Sequence, residues 1–112
     1  MKILDSVCNK KELAMMSTVF GEEFIKAVVD VRLEKIAIDA DLHADLESMM
    51  LSAGSMQEDL WGINFYPGED EDSFIEFDSL INIRPKQNNT KRNIQNPDVE
   101  KKIISVVGKW IK

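Results

Sequence analysis

Two segments of this chain carry their polar residues in a single phase of period two. Trp61-Gly-Ile-Asn-Phe-Tyr-Pro67 is followed, after an acidic gap, by Phe74-Ile-Glu-Phe-Asp-Ser-Leu-Ile-Asn-Ile-Arg-Pro85. In a β-strand, successive side chains face opposite sides. Trp61, Ile63 and Phe65 therefore share a face with Ile75, Phe77, Ser79, Ile81 and Ile83. Asn64 and Tyr66 fall on the other face with Glu76, Asp78, Asn82 and Arg84. Joined as a hairpin centred near residue 70, the two strands pair Phe65 with Ile75, Asn64 with Glu76 and Gly62 with Asp78. Direct cross-strand neighbours lie about 5 Å apart.

The rest of the chain supplies the elements around this hairpin. Asn9 is placed to cap a first helix, with Glu12 at the capping-box position. Leu13, Met16 and Phe20 recur at helical spacing, and Gly21 is a natural stop. Ile25 to Val31 is almost continuously apolar and rich in β-branched residues, the pattern of a strand covered on both faces. Arg32-Leu33-Glu34 turns it into a second strand, Lys35 to Ala40. From Leu42 the spacing of Leu46, Met49, Met50 and Ala53 is helical, with Asp41 as N-cap and Gly54 as the stop. After a polar stretch, Asn96-Pro97 opens a closing amphipathic helix with Val99, Ile103, Val106, Val107, Trp110 and Ile111 as its apolar stripe. The expected fold is one α+β domain over residues 1–112, ordered α-β-β-α-β-β-α. Its sheet is four-stranded and mostly antiparallel, with helices packed on it.

Composition limits function. The single cysteine, Cys8, excludes an internal disulfide framework and a cysteine-based zinc cluster within one chain. No apolar run approaches the roughly 20 residues of a membrane helix, and Met1-Lys-Ile-Leu-Asp5 has no signal-peptide core, so a cytoplasmic location is expected. Residues 1–85 hold 7 basic and 18 acidic side chains, and residues 86–112 hold 7 and 2. So acidic a body disfavours nucleic acid as a partner, and the basic C-terminal helix reads as a solvated face. No phosphate-binding glycine loop, nucleophile elbow or aromatic nucleic-acid platform is present.

The polar phase of the last two strands is the candidate site. Arg84 is its only cation, with a fork suited to a carboxylate or phosphate. Glu76 and Asp78 suit acid–base chemistry or metal ligation. Asn64 and Asn82 are of a type disfavoured in strands, and Gly62 leaves room for a ligand or a crossing backbone. On the second helix, His43, the only histidine, stands at i, i+4 to Glu47 with Asp45 nearby, but no metal motif is complete. The plain alternative is a solvated sheet face, or a polar network beneath a helix.

Leu42-His-Ala-Asp45, Gly54-Ser55 with Gln57, Leu60-Trp-Gly-Ile-Asn64, Tyr66-Pro67 and Ile75 to Pro85 together resemble a family of short prokaryotic proteins catalogued only as a domain of unknown function. The likeness covers nearly the whole chain. Asn88 is similar to the family's asparagine just after that proline, although a glycine is expected before it where this chain has Gln87. The resemblance implies an α+β fold and a shared surface, and it assigns no reaction, cofactor or substrate.

Three functions stay open at this level. The first is a small ligand-binding or accessory protein using His43, Asp45, Asn64, Glu76, Asp78, Asn82 and Arg84. The second is a small hydrolase or metal-assisted enzyme with Glu76 or Asp78 as base or ligand, His43 as shuttle or ligand and Arg84 as anion clamp. The third is a homodimeric interaction protein using Met49, Met50 or the Trp110 end of the last helix.

Overall fold

The computed structural model describes residues 1–20 and 24–112, with the backbone alone for 17–20. Five strands form one antiparallel sheet: β1 (Lys2–Ile3), β2 (Ile25–Asp30), β3 (Lys35–Ile38), β4 (Leu60–Phe65) and β5 (Ile75–Glu76), in the order β1-β3-β2-β4-β5. Three helices accompany it: α1 (Lys10–Phe20), α2 (His43–Ser52) and α3 (Pro97–Trp110). The expected α+β class holds. The expected four strands become five, because the chain opens with a two-residue strand paired to β3. The periodicity of Phe20 and the stop at Gly21 lie outside the residues whose side chains are described.

Both faces of the sheet are covered, and β2 explains why. Its Ile25, Ala27 and Val29 join a large apolar cluster with Leu13 of α1 and with Ile103, Val106 and Val107 of α3. Its Val28 points the other way, into a smaller cluster with Leu46 and Met50 of α2. Met50 is thus fully buried, and the partly exposed Trp110 donates its indole N–H to the Glu34 carbonyl at 2.8 Å. The β2–β3 turn contains no glycine. Buried Asp30 builds it, accepting from the Arg32 and Leu33 amides at 2.9 and 2.8 Å and from Ser55 Oγ at 2.6 Å. Glu34 supplies the left-handed corner at φ 56°.

The caps follow the sequence with one exception. Asn9 Oδ1 accepts from the Glu12 amide, and Asn96 Oδ1 from the Asp98 amide, both at 2.9 Å. Gly54 takes φ +104° just past α2, as a helix stop requires. Asp41 does not cap α2; Leu42 holds that position in extended conformation, without a side-chain bond.

The largest departure is in the final strand. It pairs with β4 only at Asn64–Glu76 and Phe65–Ile75, the expected register. Beyond Asp78 the chain forms two 3₁₀ turns, Leu80–Asn82 and Pro85–Gln87, instead of continuing as a strand. Gly62 therefore does not face Asp78. A Cβ there would stand 2.5 Å from Ser79 Cβ, so only glycine admits the crossing segment. The ladder along β4 is completed by a side chain: Asn82 Oδ1 accepts from the Gly62 amide at 2.8 Å, and Asn82 Nδ2 donates to the Gly62 carbonyl at 2.9 Å. A carboxamide has the donor and acceptor of a peptide group, so Asn82 stands in for the missing strand.

Candidate functional site

Leu60, Gly62 and Asn64 alternate onto the face of β4 that α2 also covers. Leu60 and Gly62 lie against α2 and the 3₁₀ turns, whereas Asn64 lies beyond them, beside the first residue of α2. There the sheet, the helix start and the 78–81 segment enclose an open pocket of about 620 Å³. His43, Asn64, Glu76 and Asp78 line it together with Lys26, Tyr66, Phe24 and Arg92; Leu42 and Leu80 line its rim and are 58% and 68% exposed.

The floor is a fixed hydrogen-bond set. Asn64 Nδ2 donates to Glu76 Oε1 at 2.8 Å and to the Asp78 carbonyl at 3.3 Å, while the Tyr66 hydroxyl donates to the same Glu76 oxygen at 3.1 Å. Both partners of the Asn64 nitrogen are acceptors, which fixes the orientation of the amide. Among the described residues, its buried Oδ1 receives no hydrogen bond.

His43 Nε2 lies 2.8 Å from the Ile63 carbonyl. A carbonyl only accepts, so that nitrogen carries the proton, and Nδ1 of the neutral ring is an acceptor. Burial lowers the His43 pKa, with the Lys26 cation adding to the effect. The Ile63 carbonyl, the Asn64 side chain and Asp78 oppose it. The ring is therefore held neutral at neutral pH.

The cations differ from the sequence expectation. Lys26, opposite Asn64 on β2, carries its ammonium 4.8 Å from the Phe24 ring centroid. Arg92 pairs with Asp78 at 2.6 Å. The aromatic wall is Phe24 and Tyr66, with centroids 5.5 Å apart.

Of the seven residues read from the sequence, the fold brings His43, Asn64, Glu76 and Asp78 together and leaves three elsewhere. Asp45 is exposed on α2 and does not line the pocket. Asn82 is fully buried, with its amide given to Gly62 and to the Arg92 carbonyl at 2.9 Å. Arg84 is not the cation of this pocket. It donates to the carbonyls of Gln57 and Leu60 and lies 4.1 Å over the Trp61 ring, with Glu47 as its nearby carboxylate. Burial raises the Glu47 carboxyl, against the pull of Arg84 and Gln57.

Sequence reading passed over Lys26 and left Arg92 in a polar loop, apart from this site. Lys26 interrupts an apolar run, which was a usable signal. Arg92 reaches the site only because buried Asn89 folds the 82–95 segment back, donating to the carbonyls of Asn82, Lys91 and Asn93. Asn88, the asparagine after the proline, instead supplies the left-handed turn at φ 61°, so Gln87 needs no glycine's freedom.

Residues 2–110 match the family model described as protein of unknown function (DUF5674). The chain belongs to the DUF5674 family. No curated protein and no solved structure matches it. For this DUF5674 chain the site must therefore be read from its own chemistry. Among the described residues, no group of three or more His, Cys, Asp or Glu side chains is placed to hold a metal ion. No helix of the described residues is long and apolar enough to cross a membrane.

Proposed function

We propose that this chain is a small-molecule-binding protein and that the pocket between the start of α2 and the β4–β5 pair is its site. The observation carrying this reading is the unpartnered Asn64 Oδ1. Asn64 is 5% exposed, and among the described residues its Oδ1 receives no hydrogen bond, although its side chain lies close enough to the His43 ring to favour the ring's charged form. A buried acceptor without a donor costs about 1–3 kcal/mol, and such groups concentrate where something else completes them. The surroundings support the reading: a concave space with an apolar rim and a few convergent polar groups is the usual form of a ligand site. Both carboxylates are held by neighbouring donors, which suits recognition better than proton transfer.

The test is titration of ¹⁵N-labelled protein with a chemically diverse fragment set. Binders should move the amides of Lys26, His43, Asn64 and Glu76 together, and His43→Gln should weaken them. Shifts confined to other surfaces, such as the apolar groove beside Ile104 and Val107 on α3, would defeat the reading.

A further inference from the structure

We infer that the ligand class of this pocket is a small organic amine, protonated at neutral pH, with a flat or branched apolar body; the inference rests on the pocket being a binding site. The deciding group is Glu76. Its Oε1 takes two neutral donors, Asn64 Nδ2 at 2.8 Å and the Tyr66 hydroxyl at 3.1 Å, which lock the carboxylate in place. Among the described residues, its Oε2 makes no hydrogen bond and no cation pairs with Glu76. The other carboxylate of the pocket, Asp78, is already neutralised by Arg92 at 2.6 Å.

A carboxylate oriented by neutral donors, with one oxygen open, matches an N⁺–H donor, because hydrogen bonds with an ionised partner are the strong ones. Two of the nearby groups agree in sign: Asn64 Oδ1 and Nδ1 of neutral His43 are both acceptors. Of the cations lining the pocket, Arg92 is paired with Asp78 and the Lys26 ammonium lies over the Phe24 ring. The Phe24–Tyr66 pair, with the Lys26 ammonium already on the Phe24 ring, adds aromatic surface for an apolar body. Exposed Leu42 and Leu80 extend the apolar contact at the rim.

The experiment compares three probes of one size: 2-phenylethylammonium, 2-phenylethanol and 3-phenylpropionate. Calorimetry gives affinity and ¹⁵N shifts give location, on the wild type and on Glu76→Gln. Glutamine keeps an acceptor for Asn64 and Tyr66, so the variant retains the fold while losing the charge. The amine should bind in the pocket at least about tenfold tighter than the alcohol, the size expected of one charge-assisted bond. That preference should disappear in Glu76→Gln.

Equal or tighter binding of the alcohol or the acid in the pocket overturns the amine assignment and leaves the site standing. So does failure of the amine to bind while another fragment moves the pocket amides. If no fragment of any chemistry moves those amides, the binding-site reading itself falls.

Discussion

Two asparagines on the same side of β4 have opposite fates. Asn82 commits its whole amide to backbone, to both groups of Gly62 and to the Arg92 carbonyl. Asn64, two residues along β4 from Gly62, commits its nitrogen, while its oxygen receives no hydrogen bond among the described residues. Both are at most 5% exposed, so burial does not separate them; satisfaction does. A fully bonded buried amide is part of the frame, whereas a half-bonded one beside a pocket is the observation on which the proposed ligand site rests.

The contrast is broken most severely at Asn82. Asn82→Ala strands the Gly62 amide and carbonyl and the Arg92 carbonyl, and should cost on the order of 3–5 kcal/mol at about 1–3 kcal/mol for each unmade bond that water cannot reach. Urea denaturation measures it, and a loss below about 1 kcal/mol would show that water replaces the amide. Gly62→Ala should follow at about 1–3 kcal/mol, the usual size of overpacking, because the added methyl meets Ser79 Cβ. Asn64→Ala should cost about 1 kcal/mol or less, since it removes an uncompensated acceptor along with the donors. If Asn64→Ala were as damaging as Asn82→Ala, the two residues would have the same structural role.

The smallest effect comes from His43. Its folded pKa lies below the ordinary value of about 6.5. In the window below that value the unfolded chain binds the proton more readily, so stability falls as pH drops from about 6.5 toward the folded pKa. Wild type minus His43→Gln, each followed by denaturation across that range, isolates the contribution. A difference that is flat with pH would mean that the ring is not held neutral.

Much of the frame was legible because its signals are local. Asn9 and Asn96 announce helix starts, the apolar run at 25–31 announces a strand covered on both faces, and alternation with an acidic gap sets the pairing of Asn64 with Glu76. The same alternation misled after Asp78. Period two records which residues are polar, not whether backbone or side chain makes the hydrogen bonds, and Asn82 and Arg84 meet the backbone of β4 with their side chains. Half of the site was visible for the same reason: His43, Asn64, Glu76 and Asp78 obey the pattern. Arg92 was not, since its arrival depends on the fold of the 82–95 segment around Asn89. The rule that asparagine in a strand needs a reason applied to both residues, and only the three-dimensional fold separates the two reasons.

Replacing most of a strand with one carboxamide also changes how the protein meets copies of itself. The marginal strands β1 and β5 are two residues long. Where β5 gives out, the Gly62 amide and carbonyl and the Leu60 carbonyl are occupied by Asn82 and Arg84. Long unpaired margins are the templates on which sheets polymerise, and short or obstructed ones resist it. Asn82 is therefore a guard against fibrillar growth as well as a strut, and a crowded solution of the Asn82→Ala protein should form thioflavin-positive aggregates sooner than one of the wild type.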